Sequence, residues 1–298
     1  IKTVIAYDCR KNSKSLARKV AEVFSANDIK VYLYSNLRST PQLSFTVKHL
    51  KAQCGIVLTA SHNPPQYNGY KVYWEDGGQI VPPQDLEIID QIKKTQFINI
   101  LSKPKESLIE IISDDLDKAF VKTSVKLGKL KLKSRANFKI IFTSLHGTSI
   151  TAVPEVLEQA GYKNVHVVAS QAKPDGNFPT VKSPNPEEPE ALELALQEAK
   201  KIDADIVIGT DPDCDRLGVA VKNKNNEFSL LNGNQTMAVM TYFLLENWKK
   251  NKRLDGNQFI ATTIVSTPMI EKIASAYSVK YMETLTGFKW IGKLIKDY

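Results

Sequence analysis

Gly55-Ile56-Val57-Leu58-Thr59-Ala60-Ser61-His62-Asn63-Pro64 is a short apolar run that stops on a polar loop. The apolar part reads as a buried strand, too short and too uninterrupted for an amphipathic helix. The same pattern returns far along the chain. Ala204–Ile208 is apolar apart from Asp205, and Gly209-Thr210-Asp211-Pro212-Asp213-Cys214-Asp215-Arg216 follows it. Two buried strands, each ending in a dense polar motif, set the frame for the rest of the chain.

Working outward from these runs, the chain repeats itself. Residues 3–34 read as strand, polar loop, helix and strand: Thr3–Tyr7, Asp8–Ser13, a helix around Leu16, Val20 and Phe24, and Val31–Tyr34. Residues 138–169 follow suit, with Lys139–Phe142, the loop Leu145-His146-Gly147-Thr148-Ser149, a helix through Val153, Val156, Leu157 and Ala160, a stop at Gly161, and Val165–Val168. Residues 258–284 begin the pattern again, with a helix start at Ser266-Thr267-Pro268, where Ser or Thr caps and Pro suits the first turn. In the first two repeats a further helix, Leu43–Gln53 or Ala191–Lys201, leads into the strand before the polar motif. Strands alternating with helices predict an α/β class.

Three domains are expected: 1–135, closing after a helix over Asp114–Leu127; 136–226, ending at the polar turn Asn223–Asn226; and 227–298. The third repeat stops within its second helix, Trp290–Ile295. One more strand and functional loop are therefore expected beyond Tyr298. The chain also opens directly on a strand, which reads as a missing N-terminal start.

Composition narrows the function classes. The 298 residues carry a formal charge of +8. That charge fits a cleft attracting phosphorylated substrates or nucleic acid, or a solvated basic surface with lysines spread along stretches such as Lys126–Lys133. The second reading is preferred, because net charge speaks to solubility and association. RNP, zinc-finger and basic-zipper patterns are absent, so no nucleic-acid partner is expected. No apolar run approaches the roughly 18 residues of a membrane span, and no signal-peptide pattern opens the chain. Three widely spaced cysteines, Cys9, Cys54 and Cys214, form no C-x-x-C pair. They argue against a thiolate zinc site and for a reducing cytoplasm.

The acidic motif carries the most chemistry. On an extended strand Asp211 and Asp215 would lie about 13 Å apart, too far to share a small ion. Pro212 breaks the strand and lets the segment curl until three carboxylates converge. Their repulsion calls for a cation, and an all-oxygen donor set favours Mg²⁺ or Ca²⁺, with Mg²⁺ typical beside a phosphate. An EF-hand fails, because Arg216 and Lys222 stand where Gly and Glu are needed. A D-x-D-x-T/V aspartyl phosphatase fails at Leu217. A solvated acidic turn remains the bland reading. Arg216 beside the aspartates fits an anionic substrate.

Ser61 follows a strand tip, and Lys71 is ten residues on. With Thr59 and Asn63 at the glycine positions, the α/β-hydrolase elbow is excluded. His62, adjacent in sequence, is poorly placed as a triad base but can hydrogen-bond a phosphate. Gly287, Gly292 and Lys293 have Walker spacing, yet Leu294 replaces the metal-holding Ser or Thr, which excludes an NTPase. Lys289, in a Gly-led turn, is a candidate anion contact. A hydroxyl on one strand end and carboxylates on another point to metal-assisted phosphoryl transfer.

Thr59-Ala60-Ser61-His62-Asn63-Pro64 with Asn68-Gly69-Tyr70-Lys71, then Asp211–Arg216, then Thr286-Gly287-Phe288-Lys289, resemble the α-D-phosphohexomutase superfamily in order and spacing. The resemblance covers essentially the whole chain. It implies repeated three-layer α/β domains with mixed sheets around a central cleft. It implies a phosphoserine at Ser61, Mg²⁺ held by Asp211, Asp213, Asp215 and a phosphoserine oxygen of Ser61, and catalytic roles for Lys71, His62 and Arg10. Arg216, Lys289, Thr286 and Gly287 are implied substrate contacts. The implied activity interconverts hexose 1-phosphate and hexose 6-phosphate through a sugar bisphosphate, with glucose 1,6-bisphosphate or an equivalent as activator. A phosphoglucomutase or phosphomannomutase comes first. A phosphopentomutase of the same fold, or a non-catalytic sugar-phosphate-binding relative, is the alternative. The wording at Thr286–Trp290 and Leu145–Thr148 resembles the phosphoglucomutase branch that includes phosphopentomutases.

The chain departs from the family pattern by lacking the N-terminal strand segment, the sugar-selecting glutamate-serine loop and the fourth domain. Asn234 also stands where the family has aspartate. The residues present are therefore expected to bind metal yet show little mutase activity alone.

Overall fold

The computed structural model describes residues 1–112, 114–128 and 135–298. Of the basic stretch Lys126–Lys133, residues 129–133 lie outside the described residues. The chain divides into two compact units, Ile1–Leu230 and Leu231–Tyr298.

The first part of unit one runs β1 (Lys2–Tyr7), α1 (Ser13–Ala26), β2 (Lys30–Tyr34), α2 (Thr40–His49), β3 (Cys54–Leu58), β4 (Tyr70–Trp74), α3 (Gln84–Lys94), β5 (Ile109–Ile112) and α4 (Asp114–Leu127). Its sheet has the order β4-β3-β1-β2-β5. β1, β2, β3 and β5 are parallel, and β4 runs antiparallel to β3. Alternate residues of β1 point to opposite faces. Val4 and Ala6 pack with Leu43 and Val47 of α2. Ile5 and Tyr7 pack with Ala17 and Ala21 of α1. Two cores on the two faces of one sheet make the three expected layers.

The second part runs β6 (Lys139–Thr143), α5 (Val153–Gln159), β7 (Asn164–Val167), α6 (Ala169–Ala172), α7 (Glu193–Ile202), β8 (Ile206–Thr210), β9 (Leu217–Lys222) and β10 (Phe228–Leu231). Its sheet, β10-β9-β8-β6-β7, is also mixed, with β6 parallel to β7 and β8 and β9 antiparallel to β8. Unit two holds α8 (Gly233–Lys250), β11 (Phe259–Thr263), α9 (Met269–Ala276), β12 (Lys280–Thr284) and α10 (Phe288–Asp297). β11 and β12 form a parallel pair. In this unit Asn234 Oδ1 accepts from the Thr267 backbone N–H at 3.0 Å, an acceptor role an amide oxygen fills as well as a carboxylate.

Three expectations change. Leu16 is exposed, and the buried face of α1 is Ala17 and Ala21, with Val20 and Phe24 only half-buried against the same core. A helix lying close on a sheet leaves room for small side chains along its contact line. α2 opens at Thr40, three residues before the predicted Leu43, because Ser39 caps it by accepting from Gln42 N–H. Asn223–Asn226 is a hairpin turn, and β10 returns beside β9 in the second sheet.

Candidate active site

Parallel strands deliver their following loops to one edge of a sheet, where α/β folds place ligands. From the first sheet, β1 leads to Arg10, β2 to Thr40 and β3 to Ser61. From the second, β6 leads to Gly147 and β8 to Asp211. These loops meet within unit one.

Ser61 is the junction. Its hydroxyl donates to Asp211 Oδ2 at 2.7 Å, with Asp215 Oδ1 at 3.4 Å and His62 Nδ1 at 3.3 Å. The residue sits at φ 52°, a left-handed conformation uncommon for serine. Thr59 supports it by accepting from Ser61 N–H through Oγ1 at 2.9 Å. The sequence gives no reason for His62 to reach its neighbour's hydroxyl, yet the loop geometry puts the two in contact. Burial, then the charge of Arg216, lowers the His62 pKa, so the ring meets Ser61 uncharged near neutral pH.

The aspartates converge as expected. One oxygen from each of Asp211, Asp213 and Asp215 lies within 4.8 Å of the others. The strand ends at Thr210, and Cys214 turns the loop at φ 59°. Asp211 and Asp213 are buried and Asp215 is exposed. Asp211 Oδ1 accepts the N–H groups of Asp215 and Arg216 at 3.0 and 2.9 Å, which closes the curl. Burial, then repulsion from Asp213 and Asp215, pushes the Asp211 carboxyl well above the usual range. Burial is the largest influence on Asp213 and works against its charge, but the Lys71 ammonium and the hydrogen bonds from Asp211, Lys71 and Thr40 together hold that carboxyl below the usual range. Lys71 Nζ bridges Asp213 Oδ2 at 2.9 Å and Asp215 Oδ2 at 3.2 Å. Burial alone would lower its pKa, and the two carboxylates raise it instead. Asp213 Oδ1 is buried without a hydrogen-bond partner among the described residues. Converging hard oxygens, self-repulsion and an unpartnered buried carboxylate oxygen together fit a small divalent cation.

Arg10 lies beside the serine loop, as the resemblance implies, and its contacts there are with main chain. Its guanidinium donates to four carbonyl oxygens of the serine loop: Ser61 and Asn63 at 2.5 Å, Pro64 at 2.8 Å and Tyr67 at 3.0 Å. The side chain is fully buried and faces Asp8 Oδ2 at 3.3 Å. A planar fork suits several fixed acceptors at once. Arg10 therefore holds the loop, and these contacts are with main chain rather than with the Ser61 hydroxyl.

Several supports have no local sequence signal. Phe178, buried and at φ 49°, lies under the Arg10 guanidinium at 5.1 Å. Thr148 donates to Pro212 O through both N–H and Oγ1 at 2.8 Å. A Cβ on Gly147 would stand 2.5 Å from Pro212 Cα, so only glycine allows that approach. Thr40 donates to Asp213 from α2. Arg216 Nη1 pairs with Glu187 at 3.2 Å. Thr286, Gly287 and Lys289 belong to unit two. There Gly287, at φ 120°, opens α10, and Lys289 Nζ lies 5.3 Å from the Trp290 ring centroid.

Comparison with known proteins agrees with this architecture. Family models for "Phosphoglucomutase/phosphomannomutase, alpha/beta/alpha" domains I, II and III match residues 1–99, 118–225 and 232–298. The chain belongs to the phosphoglucomutase/phosphomannomutase family of the α-D-phosphohexomutase superfamily. It is 40% identical over 295 residues to a probable phosphomannomutase of Haemophilus influenzae, covering 98% of this chain and 59% of that protein. It is 37% identical over 301 residues to a phosphoglucomutase of Staphylococcus epidermidis, covering 98% of this chain and 54% of that one. The crystal structure of a putative phosphomannomutase from Thermus thermophilus superposes with a TM-score of 0.76 at 25% identity, covering 99% of this chain and 63% of that chain. The chain thus spans a little over half the length of the curated relatives it matches.

Proposed function

We propose that this chain is the phosphoserine- and metal-bearing part of a phosphohexomutase that interconverts hexose 1-phosphate and hexose 6-phosphate. The observation that carries this reading is the contact of Ser61 Oγ with Asp211 Oδ2 at 2.7 Å inside a three-carboxylate cluster. It puts a hydroxyl able to carry a phosphoryl group against a cation site. Asp211, Asp213 and Asp215 would hold Mg²⁺, with an oxygen of phosphorylated Ser61 as a further ligand. When bound, Mg²⁺ supplies positive charge to the transferring phosphoryl group.

In the reaction, the Ser61 O–P bond breaks as a sugar hydroxyl oxygen forms a new O–P bond, which yields a sugar bisphosphate. As that bond forms, the hydroxyl proton passes to the Lys71 amine, which has given its own proton to the departing Ser61 oxygen. In the second step the other sugar O–P bond of the bisphosphate breaks as Ser61 Oγ forms a new O–P bond, and the serine proton ends on the sugar oxygen released. Lys71, held protonated by Asp213 and Asp215, donates a proton to the departing oxygen. Asp215 links the two groups, with Oδ1 towards Ser61 and Oδ2 on Lys71. His62 hydrogen-bonds the phosphoryl group. Arg216, Thr286, Gly287 and Lys289 contact substrate, and glucose 1,6-bisphosphate or an equivalent primes the serine. Arg10 serves the phosphoserine as the fourth catalytic residue, holding its loop through four carbonyl contacts.

The phosphoserine domain is assigned to 1–135, the metal domain to 136–226 and part of the sugar-binding domain to 227–298. The family matches to 1–99, 118–225 and 232–298 support three domains in this order, with the second beginning by residue 118, and β10 (Phe228–Leu231) belongs to the second sheet. Glucose phosphate is the first substrate to test, mannose phosphate the second and pentose phosphate the third. The protein acts in the cytoplasm on a phosphorylated sugar, without nucleic-acid or membrane partners. Among the described residues no helix is long and apolar enough to cross a membrane.

The test is conversion of glucose 1-phosphate by the full-length protein with catalytic glucose 1,6-bisphosphate and Mg²⁺, together with intact-mass analysis. Wild type should carry one phosphate on Ser61 and turn over. Ser61→Ala should carry none and lose at least about a thousand-fold in rate. Full activity in Ser61→Ala would overturn the reading.

A further inference from the structure

We propose that Thr40 is a positioning residue for the cation site, deciding which oxygen of Asp213 is presented to the metal. The inference rests on the reading of Asp211, Asp213 and Asp215 as the Mg²⁺ site and deepens it.

Thr40 opens α2 in the first sheet's helical layer, whereas Asp213 follows β8 of the second sheet. Two hydrogen bonds join them. Thr40 Oγ1 donates to Asp213 Oδ2 at 2.8 Å, and Thr40 N–H donates to the Asp213 main-chain oxygen at 2.9 Å. Both residues are buried, at 5% and 0% exposure. The clamp therefore grips Asp213 by main chain and side chain together, out of reach of competing solvent.

The two oxygens of this carboxylate have different surroundings. Oδ2 accepts from Thr40 and from Lys71 Nζ at 2.9 Å. Oδ1 is buried with no hydrogen-bond partner among the described residues. The terminal torsion of an aspartate is broad, so an unanchored carboxylate turns over a wide range. Thr40 stops that rotation. It keeps Oδ2 on the protein and leaves Oδ1 available, at the cost of an unpartnered buried acceptor that a divalent cation would satisfy. Helix α2 adds to this, because its first N–H groups carry partial positive charge and one of them is already bonded to Asp213.

Lys71 cannot do this alone. Its flexible stem and rotatable ammonium follow the carboxylate rather than fix it. Thr40 has a short β-branched side chain with a stiff χ1, set at the start of a helix. Groups of this kind, bonded to a metal ligand from outside, typically change metal affinity about 10- to 100-fold when removed.

The experiment measures Mn²⁺ affinity by electron paramagnetic resonance on the full-length protein, using Mn²⁺ as the probe for the Mg²⁺ site. Wild type is compared with Thr40→Val, Thr40→Ser and Asp213→Asn. Thr40→Val keeps the branched shape and loses the donor, so it should weaken Mn²⁺ binding by about ten-fold or more. Thr40→Ser keeps the donor and should bind like wild type. A packing role alone would be preserved by Val, so rescue by Ser separates positioning from packing. Thr40→Ala takes the place of Thr40→Val if the latter does not fold. Equal affinity in wild type and the donor-less variant, with Asp213→Asn weakened, overturns the role of Thr40 and leaves the cation site standing. Equal affinity in wild type and Asp213→Asn removes the cation site, and this inference with it.

Discussion

The Ser61 hydroxyl donates to Asp211 Oδ2 across 150 positions of sequence, at 2.7 Å. One residue follows β3 of the first sheet and the other follows β8 of the second. Each sheet brings one polar loop to its edge, and the site exists only where the two edges meet. Lys71 and Thr40 reach Asp213 from the first sheet's side, and Arg10 fixes the serine loop from below.

Ser61 has a left-handed backbone, φ 52°. Glycine adopts that conformation freely, and alanine adopts it at a cost of about 1 kcal/mol. Ser61→Gly and Ser61→Ala both lose the hydroxyl, but the glycine variant should be more stable by roughly that amount. Paired urea unfolding curves check this. Identical midpoints would mean the loop relaxes once the serine is gone.

Lys71 is the counter-charge to Asp213 and Asp215 in this structure. Replacing it with methionine leaves three carboxylates facing one another. In EDTA, Lys71→Met should lose on the order of 2 kcal/mol, below the range for a fully buried pair because Asp215 is exposed. Millimolar Mg²⁺ should restore a larger share of stability in the variant than in wild type, since a cation then supplies the missing charge. Thermal melts in both buffers give the comparison. An equal Mg²⁺ response in the two proteins would mean the ammonium does not neutralise the cluster.

Arg10→Lys keeps the charge and loses the fork. Four carbonyls of residues 61–67 now share one guanidinium, and an ammonium cannot span them. A loss of about 2–3 kcal/mol is expected, with the serine loop becoming open to limited proteolysis. Mass mapping of the first cleavage site tests this. Cleavage elsewhere, at unchanged stability, would show that the loop holds itself.

The cysteine thiols should be poorly reactive. Burial, then the charges of Asp211, Asp213 and Asp215, pushes the Cys214 thiol up to about 12. Burial raises Cys9 and Cys54 as well. The thiolate is the reactive form, so a raised pKa lowers reactivity at neutral pH and delays its rise to more alkaline conditions. Alkylation of native Cys214 at pH 7.5 should run about a thousand-fold slower than for an ordinary thiol. Site-resolved iodoacetamide labelling reads the rate. Fast labelling at pH 7.5 would show that the acidic loop opens readily.

Much of the fold could be read along the chain. Apolar runs such as Thr3–Tyr7 and Gly55–Leu58 became β1 and β3, and Asp114–Leu127 became α4 with the predicted bounds. These features are local, since periodicity and capping depend on residues within one or two turns. The Pro212 kink was legible too, because proline acts on its own neighbourhood. Helix faces were less so. The apolar periodicity of α1 favoured Leu16, but the close sheet selected Ala17 and Ala21.

By itself, then, the sequence determined the alternation of strands and helices, the polar motifs at Ser61 and Asp211–Asp215, and the chemistry those side chains can perform. The tertiary structure decided which of them meet. Arg10 bonding four loop carbonyls, Phe178 beneath it, Gly147 against Pro212 and Thr40 on Asp213 leave no local pattern, because each contact joins segments distant in sequence. Strand order and the close approach of two sheet edges create these contacts. A residue's own neighbours in the chain set neither.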